Sequence, residues 1–384
     1  MQRHPRHALL AGGTALALGA ALMGALMTGP TLAQRPGPAG EDERLSSKCR
    51  QEVRRLCLKQ GSRAPGMVRA CLEELADQLT PGCRAELGVR IEQRRAAEAS
   101  PRIFQRTLAP ARGVVYGPDA RQQIDLYEAA DAVDDQPLVL FIHGGGWRMG
   151  SRELVQAKPV HFTDAGYYFA SAGYRLLPQA PVEEQARDIG AAIRALVGQA
   201  GAIGFDPSQI VLMGHSAGAH LAALVAADPA YAGEAFGAIR AVILLDGAGY
   251  DVPAQMASAR ARASTVEGAQ ALNLYRDAFG EAEPRQRALS PITHVGGPDA
   301  PHWLALYVEE REASKVQSEA LAQRLRAAGV EAQAVAIPGT DHGRMNRELG
   351  TAAAQTQAVD AFLAEVFGER ASASNDAAST LSTR

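Results

Sequence analysis

Gly214-His215-Ser216-Ala217-Gly218 decides the reading of this chain, because an apolar run precedes it and an Ala/Leu-rich segment follows. Ile210–Met213 (IVLM) reads as a short buried strand, and Ala217–Ala227 (AGAHLAALVAA) as a packed helix. A small-x-Ser-x-small turn between strand and helix holds Ser216 on a sharp bend. Glycine is needed on both flanks, where a Cβ would clash, and the bend lifts the hydroxyl to the carboxyl edge of a sheet.

Two further elements stand in a defined order around this turn. Upstream, Pro137–Ile142 (PLVLFI) is a second buried strand ending in His143-Gly144-Gly145-Gly146-Trp147. Consecutive glycines leave backbone N–H groups free to approach a ligand. Those of Gly144 and Gly145, joined by the N–H of Ala217, can stabilise the oxyanion of a tetrahedral acyl intermediate. Downstream, His342 lies in Gly339-Thr340-Asp341-His342-Gly343, just after the strand-like Glu331–Ile337.

With these motifs in this order, residues from about 110 to 368 resemble α/β-hydrolase esterases that carry a His-Gly-Gly-Gly-Trp loop, a group related to hormone-sensitive-lipase-like carboxylesterases and kynurenine formamidases. Tyr174-Arg175-Leu176-Leu177-Pro178 and Ser290-Pro291-Ile292-Thr293-His294 extend the match. The resemblance implies a serine nucleophile acting on carboxylic esters or a related acyl bond. It implies no metal and no organic cofactor.

The chemistry assigns roles. Ser216 is weak as a free alcohol and needs a base, and His342, after the last strand, fits that task. His143 belongs to the glycine loop and shapes it, whereas His215 and His220, flanking the serine, read as packing residues. The resemblance places the acid after the penultimate strand. In that window stands Tyr307-Val308-Glu309-Glu310-Arg311-Glu312, without an aspartate. Counting back from the helix beginning near Gln317 selects Glu310; Glu309, Glu312, Asp246 and Asp251 are its rivals. Trp147 either lines an acyl pocket or wedges the glycine loop in place. Arg175 and Asp188 read as a scaffold ion pair.

The 384 residues have room for one large domain and a small extra one, and 47% hydrophobic residues supply a sizeable core. A net charge of −3 with scattered basic residues gives no nucleic-acid-binding signature. Arg3 and Arg6 precede an apolar stretch from Ala8 to Met27 and then Thr31-Leu32-Ala33, a small-x-Ala cleavage pattern. Residues 1–33 therefore read as an export signal, with an uncleaved membrane anchor as the alternative. The expected compartment is periplasmic or extracellular.

Residues 34–44 are a Pro/Gly-rich linker, 45–95 a cysteine-rich helical module, 96–109 a second linker, 110–368 the hydrolase domain and 369–384 a polar, disordered tail. All four cysteines fall in the module, and an exported chain uses such a set for disulfides. No Cys-x-x-Cys pair or nearby histidine supports zinc. The segment resembles one copy of a cysteine-rich repeat first recognised in a Golgi glycoprotein, a docking or stabilising appendage. Cys49 and Cys57 are eight residues apart on one predicted helix, about 12 Å along its axis, too far to bridge. Nested pairing, Cys57 with Cys71 and Cys49 with Cys83, fits antiparallel helices; crossed pairing is the other option.

From residue 102 onward, strands alternate with helices such as Val182–Gly198 and Ser314–Ala328, which predicts a mostly parallel sheet covered on both faces. The stretch between Asp251 and His302, helical at 259–276, is a plausible cap over the site. The expectation is an exported carboxylesterase for a small-molecule ester. An arylformamidase-type amidase and a non-catalytic binding protein of the same fold are the alternatives.

Overall fold

A computed structural model of the chain describes residues 108–128 and 135–368 and, nearer the N-terminus, residues 46, 48–49, 51–52, 55 and 79–83. The expected export signal, the 34–44 linker, nearly all of the 96–109 linker, the tail and the Cys57–Cys71 pair lie outside the described residues. The chain divides into two units, Met1–Arg102 and Ile103–Arg384.

In the first unit a disulfide joins Cys49 to Cys83, and both residues are buried. Beside it, the Thr80 hydroxyl and backbone N–H donate to the Glu52 carboxylate at 2.9 and 3.0 Å. The Cys83 N–H donates to the Thr80 hydroxyl, so Thr80 caps the turn that carries Cys83. Peptide mapping of the non-reduced protein is expected to return the Cys49–Cys83 link, together with Cys57–Cys71 if the nested order holds. A Cys49–Cys71 peptide would refute that order.

The second unit is built on eight strands: β1 (Arg112–Val115), β2 (Gln123–Tyr127), β3 (Gln136–Ile142), β4 (Tyr168–Ala172), β5 (Phe205–His215), β6 (Ile239–Leu245), β7 (His302–Val308) and β8 (Glu331–Ile337). Their order across the sheet is β1-β2-β4-β3-β5-β6-β7-β8. β1 and β2 pair antiparallel, as do β2 and β4, and every later pairing is parallel. β5 therefore lies inside the sheet, where both faces are covered, and its apolar run Ile210–Met213 is fully buried.

Alternation along the strands sends side chains into two cores. Leu138, Leu140 and Leu212 join one core, together with Ile189, Ile193 and Leu196 of the helix Val182–Ile203. Val139, Phe141, Val211 and Met213 join the other, with Phe162 of the helix Lys158–Asp164 and with Val359 and Phe362 of the helix Ala354–Phe367. The helix after the serine, Ala217–Ala227, is buried along its whole length, which explains why it is apolar all round. The segment read as a cap forms four helices, Val252–Ala261, Val266–Phe279, Glu283–Ala288 and Pro291–His294, the first two separated by residues 262–265. Among the described residues no helix is long and apolar enough to cross a membrane.

Lys158 lies fully buried against the Phe141 ring and donates to the Asn346 carbonyl at 2.7 Å. Burial pushes its ammonium down to about 7 from 10.5. Between those values the unfolded chain binds more protons than the folded one, so this residue makes stability rise with pH across that window. Urea midpoints at pH 7 and pH 9 should accordingly differ less in Lys158→Met than in the parent. An equal difference in both proteins would refute the assignment.

Candidate active site

The site sits at the carboxyl ends of the parallel strands, the usual crevice of such sheets. Ser216 follows β5 with φ 55° and ψ −119°, a conformation side chains seldom adopt. The close approach of the turn to its neighbours explains the flanking glycines. A Cβ at Gly214 would lie 2.2 Å from the Gly218 carbonyl oxygen, and one at Gly218 would lie 2.1 Å from that of Ile142. The Ser216 N–H donates to the Leu245 carbonyl at 3.0 Å, tying the turn to the end of β6.

His342 opens the short helix His342–Arg347, capped by the Asp341 side chain, which accepts from the Arg344 N–H at 2.8 Å. Its Nε2 lies 3.0 Å from Ser216 Oγ. Its Nδ1 lies 2.6 Å from Oδ2 of Asp246, not from Glu310. The acid position therefore needs correction. Glu310 occupies the turn after β7 and is exposed, as are Glu309 and Glu312. The Arg311 N–H donates back to the Val308 carbonyl at 3.0 Å, closing a turn that brings Arg311 inward instead. Asp251, another rival, caps the helix Val252–Ala261.

Asp246 follows β6 with φ 48°, and its N–H donates to the Leu306 carbonyl at 2.8 Å. β6 and β7 are neighbours in the sheet, so a carboxylate leaving β6 reaches the same imidazole as one leaving β7. It is 1% exposed and accepts the Val308 N–H at Oδ1, 3.1 Å away. Burial alone would raise its carboxyl, but the hydrogen bond from His342 and the Arg311 guanidinium outweigh that and hold it well below the usual carboxylate range.

The glycine loop closes the other side. Gly144 packs against the serine turn so tightly that a Cβ there would lie 2.7 Å from the His215 carbonyl oxygen. Gly144, Gly145 and Gly146 line one cavity of about 470 Å³ with Ser216 and His342. Met149, Leu154 and Leu274 give that cavity apolar walls. Ala217 is the first residue of its helix, so its N–H has no intrahelical partner.

The remaining histidines have structural contacts. His143 stacks on Tyr174 at 4.3 Å, and the Tyr174 hydroxyl donates to the His143 carbonyl at 2.7 Å. Burial pushes its imidazole down to about 4. His215 Nε2 donates to the His342 carbonyl at 2.8 Å, fixing the backbone beneath the base, and burial with the nearby His342 pushes it down to about 3. Trp147 is buried edge-on to Phe279 and His220, so it wedges the loop against the helix Val266–Phe279. Arg175 Nη2 and Nε donate to Asp188 at 2.6 and 2.9 Å, a pair within the scaffold. Among the described residues no cluster of three His, Cys, Asp or Glu side chains could hold a metal ion.

Arg311 was not singled out from sequence, where it is one charge in an acidic run. The missing aspartate after β7 was the available signal that the acid comes from elsewhere.

Comparison with known proteins agrees with this fold. A family model described as the alpha/beta hydrolase fold matches residues 139–346, more than half of the chain. An Arabidopsis thaliana protein named "probable isoprenylcysteine alpha-carbonyl methylesterase" is 26% identical over 251 residues, covering 60% of this chain and 50% of that protein. A kynurenine formamidase of Danio rerio is 30% identical over 29% of this chain and 37% of its own length. A carboxylesterase of Mycobacterium tuberculosis is 38% identical over 24% of this chain and 30% of its own. The chain thus spans half or less of these curated relatives. Among solved structures, the apo form of Thermogutta terrifontis esterase 2 aligns with a TM-score of 0.54 at 24% identity, over 67% of this chain and 95% of that one.

Proposed function

Because the chain belongs to the alpha/beta hydrolase fold family, we propose that it is an exported serine carboxylesterase that hydrolyses a small-molecule ester through an acyl-enzyme. What supports the reading above all is the continuous path from Ser216 Oγ through His342 to Asp246, opening on a cavity lined by Gly144, Gly145 and Gly146.

In this reading Ser216 Oγ attacks the ester carbonyl as its proton passes to His342 Nε2, and the imidazolium is stabilised by Asp246. The N–H groups of Gly144, Gly145 and Ala217 receive the oxyanion. Collapse of the tetrahedral intermediate breaks the bond to the alcohol, which leaves with the proton from Nε2. Water then repeats the sequence on the acyl-enzyme, regenerating the serine. The apolar walls suit an apolar acyl or alcohol group. The cavity volume falls within the usual range for small-molecule sites.

Fluorophosphonate labelling tests the nucleophile: a mass increment on the peptide carrying Ser216 is expected. An unlabelled protein would favour the non-catalytic binding reading. An arylformamidase activity is the second enzymatic reading, supported by the formamidase relative. A panel of p-nitrophenyl esters beside N-formyl aryl amides separates the two, with esters expected to have the higher kcat/KM. Export rests on Arg3, Arg6, the apolar run and the Thr31-Leu32-Ala33 pattern. Mass analysis of the protein from its native host is expected to find a chain starting at Gln34; retention of residues 1–33 would refute cleavage.

A further inference from the structure

The turn after β7, where the family resemblance placed an acid, carries a cation at the site instead. Arg311 Nη1 forms an ion pair with Asp246 Oδ2, the same oxygen that His342 Nδ1 approaches. It also lies 2.6 Å from His342 Nδ1 and 3.4 Å from the Asp246 carbonyl oxygen. Two donors converge on one carboxylate oxygen, and the guanidinium is only 38% exposed on its side chain.

We propose that Arg311 is a positioning residue that keeps the Asp246 carboxylate ionised and pins it in place for His342 Nδ1. The inference rests on reading Ser216, His342 and Asp246 as the reacting set.

Asp246 has a fully buried side chain, and such a carboxylate without a compensating cation tends to take up a proton. A neutral acid could no longer stabilise an imidazolium. Arg311 is present at all times, whereas the imidazolium exists only during turnover, so the guanidinium keeps the acid ionised and oriented between turnovers. The other groups facing the imidazole do not duplicate this. His215 from β5 is held neutral by burial, and Tyr275 from the helix Val266–Phe279 is a phenol whose ionisation burial disfavours. Lys158 acts on His215, and the Asp341 carboxylate is engaged by the Arg344 N–H.

Arg311→Met, close in shape but uncharged, and Arg311→Lys, which keeps the charge, test the inference in the full-length protein. Two readouts are used: kcat and KM for a p-nitrophenyl ester, and the pH titration of the Asp246 carboxyl carbon signal by NMR, which needs no activity. Arg311→Met should move the Asp246 titration to higher pH by about half a unit or more, the scale of one screened charge at this range. Its plateau kcat should fall roughly ten- to hundred-fold, as expected when the acid loses its orientation, with KM little changed. Arg311→Lys should keep the parent Asp246 titration and recover part of kcat. An unmoved titration in Arg311→Met would overturn the proposal whatever happens to kcat, and so would an equal displacement in Arg311→Lys. Failure of the parent protein to take the fluorophosphonate label would instead count against the esterase reading, while the NMR titration would still decide the role of Arg311.

Discussion

Ser216→Ala is expected to lower kcat for a short p-nitrophenyl ester by about a million-fold, the loss typical of a removed serine nucleophile. That ratio corresponds to about 8 kcal/mol of transition-state stabilisation. Among the described residues lining the cavity no other side chain can take over. His143 and His215 are buried and pushed toward the neutral form, and each is engaged with the backbone. The substitution removes one oxygen from a turn held by its backbone: the Ser216 N–H still reaches Leu245, and the Gly214 and Gly218 approaches are unchanged. The variant should therefore keep the parent melting temperature within a few degrees while losing activity and fluorophosphonate labelling together. Retention of more than a tenth of the parent activity would remove Ser216 from the reaction.

Much of this architecture can be read from the chain because its signals are local. The apolar strand and the turn glycines at 214 and 218 specify a bend that the structure forms, and the strands read at Pro137–Ile142, Ile210–Met213 and Glu331–Ile337 all occur, with ends within a few residues of those expected. β5 is the largest departure: it starts at Phe205, ahead of the apolar run at Ile210, because residues 206–209 continue an extended path with half-buried or exposed side chains. The acid was not legible in the same way. Choosing among Glu309, Glu310, Glu312, Asp246 and Asp251 requires knowing which side chain a turn aims inward, and that depends on the adjacency of β6 and β7, a non-local property. A positive φ at a non-glycine residue, as at Asp246, leaves no trace in the sequence. Arg311 was invisible for the same reason. Its role exists only because a carboxylate from one strand end and an imidazole from another meet beside it.

Asp246→Asn should lower kcat about ten-thousand-fold while Glu310→Gln stays within about twofold of the parent, the reverse of the order expected from the window after β7 alone. The aspartate fixes the tautomer that puts the acceptor nitrogen toward the serine. An asparagine can present its N–H₂ group to Nδ1, which favours the tautomer with its proton on Nε2, and such a ring cannot accept from Ser216. The same change leaves the Arg311 guanidinium beside the ring without its counter-charge, so the imidazolium loses its stabilising partner and faces a repelling one. Glu310 has neither relation to the ring: it is exposed in its turn, and glutamine preserves its shape. Circular dichroism on Asp246→Asn separates chemistry from unfolding, because the Val308 N–H can still be accepted by the amide oxygen. A Glu310→Gln variant that lost activity as heavily as Asp246→Asn would return the acid role to the β7 turn, and the geometry around His342 would then need to rearrange during turnover.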